Sequence, residues 1–265
     1  MSAVSPRPAL AGRSWRLVDA SQEAGAGFPY AHVGDGMRRA RVTAIGDTAD
    51  LATQDPVWYV AYASNLSRRR FRAYLEGGRP EGSHREYPGC RDATPPSDSR
   101  AMWRSGALWF AGTSTVWAGG LAFYDPSAEG VVATRAYLVS FGQFSDVVAQ
   151  EARLEGGADL VRDDDGRLVA LSSVYDMILE LEPYDGTPAM TMTARTGSTG
   201  TPVAPSAAYL TTILAGLADG FGLDPEAQVE YLLHARGVVP TWNRAGLLAL
   251  IGADPAARHP SSTSR

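Results

Sequence analysis

The sequence predicts an α+β protein, and three observations carry that prediction. Short β-rich runs crowd the middle of the chain, and apolar residues at three- and four-residue spacing organise roughly the last 60 residues. Strands thus come first and helices last, an order that argues against the alternating pattern of a doubly wound sheet. The strands are also short enough for a small, closed or nearly closed barrel.

Taken in order, residues 1–55 read as a partly irregular N-terminal extension. Pro6, Pro8, Gly12, Gly25, Gly27, Gly34 and Gly36 punctuate them, with one strand expected at Arg39–Ala44. A folded domain is expected over 56–255 and a disordered tail over 256–265. Trp58–Tyr62 is a β-rich run that halts at Ala63-Ser64-Asn65. Ser67 can cap a helix carrying Arg68, Arg69 and Arg70. Glu76–Ser99, crowded with Gly, Pro, Asp and Ser, reads as a long ordered loop. Ala107–Thr113, Gly120–Tyr124 and Ala133–Ser140 have strand character, Ser145–Ala152 reads as helix, and Tyr175–Leu181 and Ala189–Ala194 return to strand. Asp163-Asp164-Asp165-Gly166 lacks calcium-loop spacing and reads as a solvated turn. Ser206 caps a helix with apolar Leu210, Ile213, Leu214 and Leu217, stopped by Gly220 and Gly222. Pro225 opens another helix through Leu233, and Trp242–Leu250 supplies the last.

Composition removes several function classes. The 265 residues are 45% hydrophobic, enough to bury a core without disulfide or metal staples. A net charge of -5 provides no basic excess for a nucleic-acid backbone. All 24 Lys+Arg positions are arginine, which rules out a lysine Schiff base or lysine nucleophile. That lysine-free, Ala-, Gly- and Arg-rich composition points to a GC-rich bacterial genome. Cys90 is the single cysteine, so no internal disulfide or thiolate metal cluster forms. With no apolar run near ~18 residues and no continuous apolar leader core, a cytoplasmic protein without membrane contact is expected.

His32, His84, His234 and His259 are scattered, with no His-x-x-x-His pair, and Walker A, GxGxxG and GxSxG patterns are lacking. Neither a metal nor a cofactor is expected. Carboxylate, hydroxyl and backbone chemistry remain. Phe144, Val147, Val148, Glu151 and Leu154 share one helical face, which places Glu151 in the stripe turned to the interior. A carboxylate there loses hydration, which raises its pKa and suits it to proton transfer. The plainer reading is a glutamate paired with an arginine at the core edge. The second candidate is Tyr62-Ala63-Ser64-Asn65-Leu66, whose backbone N–H groups at a strand end can hold a carboxylate or oxyanion. An ordinary turn with an Asn cap is its plainer reading.

Four segments in order add a resemblance. Tyr62-Ala63-Ser64-Asn65-Leu66 resembles the Y-G-S-N-L signature of the γ-glutamyl cyclotransferase-like family, and Trp117-Ala118-Gly119-Gly120-Leu121-Ala122 its W-x-G-G-x-A segment. Gln150-Glu151 resembles its Q-E pair, and Pro205-Ser206-Ala207-Ala208-Tyr209-Leu210 its P-S-x-x-Y-L motif. The likeness covers about residues 57–235. The Gly78–Asp92 stretch resembles an actinobacterial branch of this fold whose members often carry the label "histone deacetylase"; the histidine pattern gives that label no support.

The resemblance implies a small mixed β-barrel flanked by helices and a small-molecule amide substrate. In such a reaction the α-amine of a γ-glutamyl amide attacks its own γ-carbonyl, releasing 5-oxoproline and an amine. Carried over by motif, Glu151 is the general acid/base. Tyr62, Ala63, Ser64, Asn65, Leu66, Trp117, Gly119, Gly120 and Tyr209 are the substrate-binding set. Ala63 stands where the family has Gly, so a left-handed backbone there carries strain, or its methyl intrudes on the substrate. Either effect points to altered substrate preference. Two alternatives stand beside this reading: an amide-tailoring enzyme of secondary metabolism, and a catalytically silent binding module.

Smaller expectations complete the list. Tyr209, Trp109 and Trp117 are divided between cavity and core, Arg68–Arg70 between an anion-attracting patch and a solvated face, and Cys90 is structural or incidental. Oligomeric state is left between monomer and homodimer.

Overall fold

The computed structural model describes residues 51–80, 85–154, 156–195 and 199–253. All fall within one compact unit, Arg39–Arg265. The expected strand at Arg39–Ala44, residues 1–50 of the extension, the 256–265 tail, and His32, His84 and His259 lie outside the described residues.

Five strands form one sheet: β1 (Pro56–Ala61), β2 (Asp98–Ser105), β5 (Val131–Ser140), β6 (Met177–Tyr184) and β7 (Thr187–Thr193), in the order β2-β5-β1-β7-β6. The β1–β7 pair is parallel and the others antiparallel, so the sheet is mixed. A hairpin of β3 (Ala107–Ser114) and β4 (Gly119–Asp125) completes the β structure. β2 bends at Gly106 directly into β3, and β4 returns to the end of β7. There Thr193 Oγ1 accepts from Tyr124 N–H at 3.0 Å and donates to Tyr124 O at 2.8 Å. This seam ties the hairpin to the end of β7, beside the mixed sheet whose edges are β2 and β6.

Central β1 is buried on both faces, which explains why its sequence is a continuous apolar run. Alternate side chains part to opposite sides. Trp58, Val60 and Tyr62 enter a core shared with the hairpin and the late helices, whereas Val57, Tyr59 and Ala61 enter one beneath α1 (Arg68–Glu76) and α2 (Phe141–Glu151).

Caps set the helices. Ser67 accepts from Arg70 N–H to start α1, and Ser206 from Tyr209 N–H to start α3 (Ala207–Phe221). Pro225 and Asp224 open α4 (Pro225–Leu233), and α5 (Arg244–Ala253) follows.

Five expectations are corrected. The helix carrying Glu151 begins at Phe141, capped by Ser140 in a capping box with Gln143. Ser145 lies inside that helix, where its hydroxyl donates to Phe141 O and accepts from Leu160 N–H. Residues Phe141 through Gln150 are buried all round, while Leu154, expected on the inner stripe, is half exposed. Gly220 does not stop α3. A Cβ there would lie 2.5 Å from Arg135, and the left-handed Gly222 (φ 60°) ends the helix. The last helix begins at Arg244 rather than Trp242. Finally, Asp98–Ser105 is a strand; as a sheet edge it alternates too weakly to be read from pattern.

Residues 51–55, taken as part of the extension, pack on the domain. Asp55 O and Thr53 O accept from the Phe141 and Gly142 N–H groups, two of the donors that α2 leaves free at its start.

Candidate active site

The chain leaves β1 through Tyr62 and Ala63 into a 3₁₀ turn, Ser64–Leu66. Three tyrosines pin this turn. Tyr62 Oη donates to Met192 O at 2.8 Å, Tyr137 Oη to Asn65 O at 2.7 Å, and Asn65 Nδ2 donates to Tyr59 Oη at 3.0 Å. Among the described residues, backbone bonds close the turn from Leu66 N–H to Ala63 O and from Ser67 N–H to Ser64 O, and neither uses the N–H of Ser64 or Asn65.

A cavity of about 60 Å³ opens beside the turn. Seven of the ten expected site residues line it: Glu151, Tyr62, Ala63, Ser64, Asn65, Trp117 and Tyr209. The other three are structural. Leu66 is fully buried under α3, where Gly216 admits it: a Cβ at Gly216 would stand 2.5 Å from Leu66 Cβ. Gly119 and Gly120 let β4 approach residues 203–206, for a Cβ at Gly120 would meet Val203 O at 2.1 Å. Their motif is a packing contact.

Glu151 ends α2 and is partly buried. Its Oε1 accepts from the hydroxyl of Tyr74, on the inner face of α1. Among the described residues no arginine stands within ion-pair distance of it, though Arg70 is near enough to feel its charge. Gln150 turns the other way, and its Nε2 donates to Tyr74 O at 3.0 Å, locking α2 to α1. Burial first, and then the Glu151 charge, push the Tyr74 phenol well above its ordinary pKa, so it stays protonated and can only donate to the carboxylate. Burial likewise raises the phenols of Tyr59 and Tyr209.

Ala63 has φ −135°, so its Cβ costs nothing in a left-handed conformation, and the strain expected from replacing glycine does not arise. The methyl does line the cavity. Trp117 stacks on Tyr209 at 4.9 Å and 19°, so both belong to core and cavity wall at once. Trp109 is absent from the cavity and packs on Phe123 at 5.5 Å. Burial pushes the Cys90 thiol up to about 12, and Cys90 Sγ donates to Tyr74 O at 3.2 Å, as suits a structural residue.

Sequence reasoning missed Tyr74 and Tyr87 as cavity residues and offered Arg70 only within the Arg68–Arg70 run, between an anion-attracting patch and a solvated face. The arginine run divides: Arg68 and Arg69 are exposed, and Arg70 is buried. Helical spacing held the signal, since Arg70, Phe71, Tyr74 and Leu75 form the inner face of α1.

Among the described residues no group of three or more His, Cys, Asp or Glu could hold a metal ion. Nor is any helix there long and apolar enough to cross a membrane.

No protein-family model matches the chain. Over 208 residues it is 31% identical to "Histone deacetylase 5" of Arabidopsis thaliana; the match takes in 69% of this chain and spans about a third (31%) of that protein. Among solved structures it is similar to a "Gamma-glutamyl cyclotransferase" at TM-score 0.44 and 16% identity, covering 69% of this chain and 89% of the other. An uncharacterized protein from Homo sapiens matches at TM-score 0.43 and 16% identity, over 69% of this chain and 90% of that one. YkqA from Bacillus subtilis matches at 0.42 and 15%, over 68% and 54%.

Proposed function

We propose that the chain cleaves a γ-glutamyl amide, or a closely related amide, by intramolecular cyclisation. The observation that carries this reading is the meeting, in one cavity, of the Glu151 carboxylate with the pinned turn Ala63–Asn65. The substrate's amine attacks its own side-chain amide carbon. A ring C–N bond forms, the acyl C–N bond breaks, and the proton lost by the attacking amine is delivered to the leaving nitrogen. Glu151 takes and returns that proton. The Ser64 and Asn65 N–H groups receive the charge developing on the carbonyl oxygen. Because nucleophile and electrophile belong to one molecule, proximity is already supplied, and one acid/base group with an oxyanion nest suffices. This chemistry asks for no metal or cofactor, and a free Cys90 suits a reducing cytoplasm.

The deacetylase name of the plant relative describes a protein of which this chain spans about a third. The donor set here does not fit a zinc deacetylase: His234, the one histidine among the described residues, sits at the end of α4 with Nδ1 against Glu230 O.

A second reading rests on Ala63. Its methyl lines the cavity where the family motif has glycine, which favours an acyl group other than plain glutamyl, as in amide tailoring of a metabolite.

The test is mass spectrometry of a γ-glutamyl dipeptide and amine panel incubated with wild type and Glu151→Gln. The expected result is 5-oxoproline from wild type alone, with the variant folded. Full activity in Glu151→Gln overturns both enzymatic readings. No product from any member rejects simple glutamyl substrates and moves weight to a tailored amide or a silent binding module.

A further inference from the structure

Arg70 carries a charge that the described residues do not pair. Its side chain is 3% exposed. A guanidinium has five N–H donors, and Arg70 uses Nη2 on the hydroxyl of Tyr87, a neutral partner. Nε and Nη1 are buried without a hydrogen-bond partner, which leaves three donors unmet. Buried charges are ordinarily paired, because an unpaired one costs several kcal/mol.

The contrast with Arg135 is instructive. It is equally buried and also keeps Nε and Nη1 unmet, but its Nη2 donates to the Asp219 carboxylate at 2.9 Å, and it faces no described cavity. Arg70 has aromatic rings instead of a counter-ion. Its Cζ lies 4.5 Å from the Tyr87 ring centroid, 5.1 Å from Tyr74 and 5.3 Å from Trp117. These faces hold a cation in place while giving its N–H groups nothing to bond. Arg70 lines the cavity together with Glu151, and its Nε and Nη1 are unmet there among the described residues.

We propose that Arg70 anchors a carboxylate of the ligand, so that the cavity selects acyl donors carrying a free acid group beside the reacting amide. This rests on the proposed cyclisation for the substrate's reacting half, but the anion site itself does not depend on turnover. Nη1 of Arg70 donates to the carboxylate, leaving the N–H groups of the 3₁₀ turn to the carbonyl oxygen and Glu151 to the amine.

The experiment is isothermal titration of the full chain with 5-oxoproline and with 2-pyrrolidinone, the same ring without its acid, for wild type, Arg70→Gln and Arg70→Lys. Wild type is expected to bind the acid roughly tenfold to hundredfold more tightly than the neutral ring. Arg70→Gln should lose that preference, and Arg70→Lys should recover part of it. Equal affinity for acid and neutral ring, an undiminished preference in Arg70→Gln, or failure of the acid to bind wild type overturns the proposal. The wild-type comparison alone decides the matter if either variant fails to fold. Acid-selective binding without 5-oxoproline formation in the mass-spectrometric panel would leave the anion site standing and remove the glutamyl reading.

Discussion

Tyr74 and Glu151 lie 77 residues apart in the chain, and the Tyr74 hydroxyl donates to Glu151 Oε1 at the rim of the cavity. Each is delivered by a different helix, Tyr74 by the inner face of α1 and Glu151 by the last turn of α2. Gln150 keeps the two helices in register through its bond to Tyr74 O. Tyr74 thus fixes one oxygen of the carboxylate to which the proposed reaction gives the proton transfer.

Replacing Tyr74 by Phe keeps the ring, with its contact to Tyr87 at 4.5 Å, and removes only the donor. Under the proposed reaction, kcat should fall roughly tenfold to hundredfold, because a hydrogen bond to a charged group contributes about 1.5–3 kcal/mol. KM should change little, since Tyr74 positions the carboxylate rather than the ligand. Steady-state kinetics beside thermal melting checks this. An unchanged kcat at an unchanged Tm would detach Tyr74 from the reaction.

Gly120→Ala separates packing from binding at a position the family motif marks. Its new Cβ would lie 2.1 Å from Val203 O and 2.9 Å from Val203 C, against backbone that Gly120 N–H itself holds through Ala204 O. The expected cost is about 3 kcal/mol, or a Tm lower by roughly 6–12 °C for a domain of this size. Gly252→Ala is the control, a helical glycine with no atom near its would-be Cβ. Calorimetry compares them. A Gly120→Ala protein that melts like wild type but loses ligand binding would return Gly120 to the substrate.

Why β1, α3 and α4 were readable and β2 was not follows from burial. β1 is buried on both faces, and α3 and α4 begin at Ser206 and Pro225, where side-chain chemistry marks a helix start. β2 is a half-buried edge strand, so neither a continuous apolar run nor clean alternation announces it. The site divides similarly. Glu151 and the turn were legible as motif, but the inner-stripe argument for Glu151 rested on an amphipathic helix, and α2 is buried all round. Arg70 sat in a run of three arginines whose first two are exposed; only the three-dimensional crossing of α1 over the cavity tells the third apart. Leu66, Gly119 and Gly120 show the converse: motif positions that look like binding residues carry the packing on which the binding residues rest.

The start of α2 supplies a pH prediction. Asp146 is buried and accepts from Arg91 N–H and Nε, while Arg91 Nη2 donates to Asp159, which also accepts from Thr53 Oγ1 at 2.5 Å. Burial works to raise the Asp159 pKa, but the bonds from Thr53 and Arg91 outweigh it and hold the carboxyl below the usual range. A carboxyl lowered in the folded state binds protons less readily than in the unfolded chain, whose value is about 3.9. Its stabilisation is therefore fully present above that value and is lost as pH falls through the lower folded one. Asp159→Asn removes the charge at every pH. At pH 7 it should cost about 1 kcal/mol, a figure kept small because Arg91 is 36% exposed and solvent screens the pair. That corresponds to a Tm lower by roughly 2–4 °C. Near pH 2.5 the gap between variant and wild type should narrow, so melting curves across this range carry the test. A Tm difference that stays constant from pH 7 to pH 2.5 would show that Asp159 acts through shape rather than charge.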